Sequence, residues 1–291
     1  MKNCKIIDVE IIFVKYPYNK NKKFPFAYHV ISGFIFFKVY TNNGLIGYGE
    51  PSPYIGDSIY TSRLFKKYLL PLIKNKDINL IRFEKIKNII NYKLGTRVLN
   101  SFFAALDQAI WDIKGKILKK PLYSILNKQL KKNNPIDLYA SGGMIYDDQP
   151  YNYLLDEALK YKELGFKGYK FRPPISRKQL SHFKRTQNPP SFDIEKLTKA
   201  CLYLRDRIGS DFKLMLDTGC RISLDRDFRY ISDCLTELNF LFLEEPFKRK
   251  IELYKKNRRS KKVKIAAGED LQIKKDFVSW SKSIDILQPD S

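Results

Sequence analysis

Three short stretches decide how this chain is read: LMLDTG (Leu214–Gly219), FLEEP (Phe242–Pro246) and IAAGED (Ile265–Asp270). Each is an apolar run of strand length that ends in acid: Asp217, the pair Glu244 and Glu245, and Glu269 with Asp270. The intervals are 27 residues from Asp217 to Glu244 and 25 from Glu244 to Glu269, one strand–helix unit apiece. On adjacent parallel strands such spacing brings the carboxylates together at one end of a sheet. Like charges held together at low dielectric repel strongly, and a cation is the natural compensation. An all-oxygen donor set favours Mg²⁺ or Mn²⁺ over Zn²⁺. A single strand-end acid reads as a helix cap or a lysine partner; three at one-unit spacing read as a site. Side chains alternate along a strand, so Glu244 and Glu245 cannot both face inward. Spacing alone leaves the choice between them open.

Outward from these stretches, strands at Asp137–Ser141, Gly168–Arg172, Lys213–Asp217, Phe240–Glu244, Lys264–Glu269 and Asp285–Gln288 alternate with helical segments such as Tyr153–Leu164 and Asp193–Ile208. Alternation of this kind predicts a parallel sheet. No G-x-G-x-x-G or phosphate-binding loop follows an early strand, whereas polar groups recur at several strand ends, as in barrel enzymes. We therefore expect an incomplete (β/α) TIM-type barrel over 136–291, with about six βα units. Residues 1–130 read as a separate α+β unit. Lys5–Tyr16 and Ile31–Thr41 are strand-like, and Asn42-Asn43-Gly44 turns the chain into Leu45–Gly49, an antiparallel meander. Leu99–Leu118 carries an apolar stripe (Leu99, Phe102, Phe103, Leu106, Ala109, Ile110, Ile113, Ile117) at helical spacing. The polar stretch Asn127–Pro135 reads as a linker.

The 291 residues carry a net charge of +23, with 44% hydrophobic and 14% aromatic residues, which excludes a disordered or collagen-like chain. The lysines are spread along the chain, and only Lys255–Lys264 (KKNRRSKKVK) is a dense block. We read them as a solvated surface rather than a nucleic-acid footprint, since no zinc-finger, RRM or KH signature accompanies them. Cys4, Cys201, Cys220 and Cys234 lie far apart without a CxxC pair, which suits a reducing compartment. The N-terminus lacks a signal-peptide pattern, and the longest apolar run, Val30–Phe37, is far short of a membrane span. A cytoplasmic protein without membrane partners is expected.

Several ordered motifs together resemble the mandelate racemase branch of the enolase superfamily. GLIGYGEPSP (Gly44–Pro53) and ALDQAIWDIKGKILKKPLYSIL (Ala105–Leu126) look like its N-terminal capping domain. YKFRPP (Tyr169–Pro174), the three acidic stretches and ILQPDS (Ile286–Ser291) look like its modified barrel. The resemblance implies Mg²⁺ ligands at Asp217, Glu244 (the first acid of its pair) and Glu269, with Mn²⁺ as a substitute. It implies proton abstraction next to a substrate carboxylate, giving an enediolate. The family's K-x-K pair is matched by Lys170 and, in place of the second lysine, Arg172. Arginine stays protonated and is a poor base, so Arg172 is expected to hold the substrate carboxylate or stabilise the enediolate. Gly219 stands where many relatives have Asn. Asp290 matches the Asp of the family's His–Asp dyad, whose His belongs to a seventh strand. His29 lies near the capping loop that would cover a pocket and is a candidate substrate contact; His182 is given no role.

The resemblance thus implies a Mg²⁺-dependent lyase that dehydrates a sugar acid to a 2-keto-3-deoxy acid. Alternatives are a racemase or epimerase, a cycloisomerase, or an inactive basic binding protein. Residues 136–291 number 156, against about 250 for a whole barrel. The reading is therefore of a C-terminally truncated chain, with little turnover on its own, an open strand edge prone to aggregation, and homo-oligomers for the full-length form.

Overall fold

The computed structural model describes residues 3–15, 33–52, 58–90, 96–127, 135–176 and 192–289. They divide into two compact units, one ending at Pro135 and the other beginning at Ile136.

In the first unit β1 (Ile6–Lys15), β2 (Gly33–Thr41) and β3 (Ile46–Gly49) form an antiparallel sheet in sequence order. The β1–β2 register shifts between Ile6 and Asp8, which lets Ile6 and Val9, three apart, both face the core. On β2 the strict alternation of Ile35, Phe37 and Val39 buries one face. Helix α1 (Ser58–Leu64) continues through a π-helical turn, Phe65–Leu69, into α2 (Leu70–Ile73). After α3 (Phe83–Ile90) comes α4 (Thr96–Leu118), and then the short α5 (Leu122–Leu126). The apolar stripe read from the sequence is the buried face of α4, from Leu99 to Ile113. Phe37, Phe65 and Phe102 meet at centroid distances of 4.6 to 5.8 Å, and burial of each ring contributes roughly 1.5–3 kcal/mol.

Two of the motifs quoted above dock on each other. A β-carbon on Gly49 would lie 1.8 Å from the Ala105 carbonyl oxygen, and one on Gly47 would lie 2.2 Å from that of Ala109. Only glycine permits this approach. The strand is then pinned to α4: Asp112 accepts from the Tyr48 amide at 3.0 Å, and Gln108 accepts from the Glu50 amide at 2.9 Å.

The second unit alternates strand and helix: β4 (Tyr139–Ser141), α6 (Asn152–Glu163), β5 (Gly168–Phe171), α7 (Ile194–Ile208), β6 (Lys213–Asp217), α8 (Asp225–Glu237), β7 (Phe240–Glu244), α9 (Ile251–Asn257), β8 (Ile265–Ala267), α10 (Lys274–Trp280) and β9 (Ile286–Leu287). The six described strands are parallel and ordered as in the sequence, the topology of an incomplete TIM barrel. Asp193 caps α7, accepting from the amides of Glu195 and Lys196. One strand face packs on the helices through Tyr169, Phe171, Leu214, Leu216, Leu243 and Ile265. The other carries a small second cluster, Met215, Phe242 and Ala266. The sheet curls enough for Gln288, just after β9, to donate to the Tyr139 hydroxyl on β4 at 3.2 Å. Opposite the strand ends that carry the acids, Arg205 donates to four carbonyls, those of Leu238, Gly209, Phe212 and Asn239.

Candidate active site

The inner face of the second sheet is polar where its strands end. Alternation places Lys170 on β5, Asp217 on β6 and Glu244 on β7 on the same side as Met215 and Phe242. Asp217 and Glu244 are register partners across β6 and β7, and both side chains are almost fully buried. Lys170 Nζ lies 2.6 Å from Glu244 Oε2 and 5.6 Å from the centre of the Tyr139 ring. Arg172, one residue past the end of β5, places Nη2 2.8 Å from Asp217 Oδ2. The other Asp217 oxygen accepts from the Gly219 amide at 2.8 Å. Gly219 has φ of 57°, a left-handed conformation that Gly and Asn tolerate best, which accounts physically for either residue at this position.

Burial pushes the Glu244 carboxyl up, and the negative charge of Asp217 pushes the same way against Lys170 and a hydrogen bond from Gln288. Burial alone would lower the Lys170 ammonium. The Glu244 carboxylate and its hydrogen bond, with Asp217 behind, outweigh it, and the net direction is upward.

The strand expected to run to Glu269 ends at Ala267. Gly268, with φ of 123°, turns the chain, so Glu269 stands past the strand and is about two-fifths exposed. Its carboxylate pairs with Arg249, which also pairs with Asp270 and lies 3.4 Å from Glu245 through Nε. Burial raises the Glu269 pKa, Arg249 opposes, and Asp217, Glu245 and Glu244 add to the rise.

The neighbouring acid, Glu245, points elsewhere. With φ of 42° it leaves the strand, accepting from the Gly268 amide at 3.0 Å, the Tyr254 hydroxyl at 3.1 Å and the Cys220 thiol at 3.2 Å. It ties the end of β7 to β8 and α9. Burial first, and then the Glu245 charge, hold both the Cys220 and Tyr254 groups in their neutral forms by raising their pKa values.

Among the described residues, no three acidic, His or Cys side chains stand close enough together to hold a metal ion, because each carboxylate of the series is turned onto a lysine or arginine. In kind the donor set fits Mg²⁺: three hard oxygen donors at neighbouring strand ends, near enough that the Asp217 charge helps raise the pKa values of both Glu244 and Glu269. Asp290, His29 and His182 lie outside the described residues. Three site residues escaped the reading of the sequence. Gln288 donates to Glu244 Oε2 at 2.7 Å, and its own Oε1 is buried without a partner. Tyr139 and Arg249 are the others. Only the QPDS motif gave a signal for Gln288. The roles of Tyr139 and Arg249 depend on contacts across the sheet and between loops.

A parallel βα sheet with acids and cations at consecutive strand ends, preceded by an antiparallel meander on a long helix, defines the enolase-type architecture. Family profiles agree. "Mandelate racemase / muconate lactonizing enzyme, N-terminal domain" matches residues 10–127, and "Enolase C-terminal domain-like" matches residues 153–291. The chain belongs to the mandelate racemase/muconate lactonizing enzyme family of the enolase superfamily.

It is 28% identical to an arabinonate dehydratase of Saccharolobus solfataricus, over 87% of this chain and 64% of that protein. It is 25% identical to a D-galactonate dehydratase of Xanthomonas euvesicatoria, over 91% of this chain and 66% of that protein. The chain thus spans about two thirds of the length of these relatives. A mandelate racemase/muconate lactonizing protein from Paracoccus denitrificans, solved with magnesium, shares the fold at a TM-score of 0.76 and 19% identity, covering 99% of this chain and 71% of that one. No described helix is long and apolar enough to cross a membrane.

Proposed function

We propose that this site removes the proton α to the carboxylate of a sugar acid and expels the β-hydroxyl, giving a 2-keto-3-deoxy acid. The observation that carries the reading is the pair of buried cation–carboxylate contacts, Lys170 with Glu244 and Arg172 with Asp217, at register-matched strand ends. Asp217, Glu244 and Glu269 would hold Mg²⁺ or Mn²⁺, which when bound supplies the divalent charge that neutralises a substrate carboxylate and acidifies the adjacent C–H bond.

The chain's own residues supply charge and grip. Arg172, always protonated, is suited to grip a carboxylate oxygen and stabilise the negative charge that develops on the enediolate. Lys170, held as an ammonium, adds a second positive charge from the same strand. Asp290 matches the Asp of a His–Asp pair whose His, on a seventh strand, would take the α-proton and give one to the leaving hydroxyl. The C–H bond at Cα and the C–O bond at Cβ break, water departs, and the enol becomes the keto acid. The Oε1 of Gln288, buried without a partner, is a candidate acceptor for a substrate hydroxyl. His29 is a further candidate contact to substrate.

The similarity to an arabinonate and a galactonate dehydratase favours an aldonic acid as substrate. Arginine in place of a second base favours one-base elimination over racemisation, epimerisation or cycloisomerisation. A nucleic-acid role for Lys255–Lys264 is disfavoured by local neutralisation: Lys256 pairs with Asp225, Lys261 with Asp285 and Lys262 with Asp233. A cytoplasmic, homo-oligomeric enzyme fits this reading.

The test is incubation of the chain with Mg²⁺ and a panel of aldonic acids in D₂O. Keto acid is read as its semicarbazone, and deuterium at Cα by NMR. Keto acid from at least one aldonate, formed slowly, is expected. Deuteration or epimerisation without keto acid would reject dehydration.

A further inference from the structure

Arg249 stands where carboxylates from two strand ends meet. It comes from the segment between β7 and α9 and engages Glu245 at the end of β7 together with Glu269 and Asp270 beyond β8. Lys170 and Arg172 engage the other two acids of the series from the inner face. Arg249 differs from both. Its side chain is about one-third exposed, and two of its three partners lie outside the Asp217–Glu244–Glu269 set. Beside it lies a cavity of about 340 Å³, lined also by Glu245, Asp270, Leu271, Asp276 and Trp280, into which a guanidinium can move while keeping an acid in reach.

We propose that Arg249 is a positioning residue that holds Glu269 away from Asp217 and Glu244 until a divalent cation displaces it, and that it thereby sets the affinity of the metal site. The inference rests on the metal reading given above. When an ion takes Glu269, Arg249 keeps Glu245 and Asp270, so the exchange breaks one ion pair without stranding a charge. The contact is partly exposed and its strength is modest, which makes it suited to displacement. Of the three cations that hold the acids, Arg249 is the one whose removal leaves the inner face intact.

The experiment is direct titration of Mn²⁺ into the full chain, free Mn²⁺ being followed by electron paramagnetic resonance, for wild type, R249Q, K250Q and D270N. Loss of one partly exposed pair that opposes binding corresponds to a Kd about fivefold lower in R249Q. K250Q removes the same charge from the adjacent exposed position without touching Glu269, and its Kd should equal that of wild type. D270N takes away a fallback partner of Arg249, so Mn²⁺ should bind more weakly. Partial unfolding can only weaken binding, so tighter binding by R249Q separates the proposed role from a structural one. Binding by R249Q without binding by wild type also supports the proposal. An R249Q value equal to or above wild type, or an equal shift in K250Q, overturns this inference and leaves the metal reading standing. Should R249Q fail to fold, the D270N arm decides, and an unchanged or lower Kd there overturns it. Absence of Mn²⁺ binding in every variant overturns the metal reading and this inference together.

Discussion

Replacing Lys170 by methionine isolates the energetics of the inner face. The substitution keeps an unbranched side chain, one atom shorter, beside Tyr139, but removes the ammonium 2.6 Å from Glu244. Breaking a buried ion pair by deleting one partner typically costs about 3–5 kcal/mol, because the remaining charge is stranded. Here Glu244 keeps the hydrogen bond from Gln288, and its carboxyl is already shifted toward the neutral form by burial and Asp217. Uptake of a proton limits the penalty, and we expect about 2–4 kcal/mol at neutral pH. The pH dependence follows from the direction of that shift. A carboxyl whose folded pKa is raised disfavours the folded state as pH climbs from its unfolded value through the folded one, so the deficit of K170M should shrink as pH falls back through that window. Urea unfolding followed through Trp280 fluorescence, in a Trp111→Phe background, reports on the second unit, since Trp280 is buried there. A deficit below about 1 kcal/mol at neutral pH, or one that does not change with pH, would refute the reasoning.

Three further outcomes follow from other contacts. Gly49→Ala should destabilise the first unit by about 3 kcal/mol or more, because the added methyl meets the Ala105 carbonyl at 1.8 Å; a melting temperature equal to wild type would contradict the docking of β3 on α4. Arg205→Met removes four donated hydrogen bonds and should cost about 2–3 kcal/mol in urea unfolding, with an effect under about 0.5 kcal/mol counting against it. Asp285 is buried enough to raise its pKa, but the Ile265 amide, at 2.8 Å, and Lys261 win and hold it below its usual 3.8. Its contribution of about 1–2 kcal/mol is therefore present above pH ~4 and lost as pH falls below that value, so D285A and wild type should converge in stability in acid.

The parts of the fold that were legible in the sequence are those set by local pattern. The apolar runs that end in Asp217 and Glu244 are strands with the expected limits, and the stripe on α4 is the core face of that helix. The expected strand at Lys264–Glu269 is shorter because Gly268 takes a left-handed turn, a backbone event that leaves only a glycine in the sequence as its trace. The choice between Glu244 and Glu245 needed the resemblance. In the structure it follows from strand alternation, with Glu245 drawn out by Gly268, Tyr254 and Cys220. The cations that neutralise the acids were half legible. Lys170 and Arg172 share a motif, whereas Arg249 reaches Glu269 across 20 residues and Gln288 reaches Glu244 across 44. Contacts of that range depend on sheet curvature and loop path, which periodicity does not encode.

We propose that Asp217, Glu244 and Glu269 together take one divalent cation. Anomalous scattering from crystals of the chain grown with Mn²⁺ tests it most directly. A single strong peak bounded by those three carboxylates is expected, with Lys170, Arg172 and Arg249 turned away and Glu245 still bound to Tyr254. A peak on Glu245 or Asp270, or none at the strand ends, would contradict it.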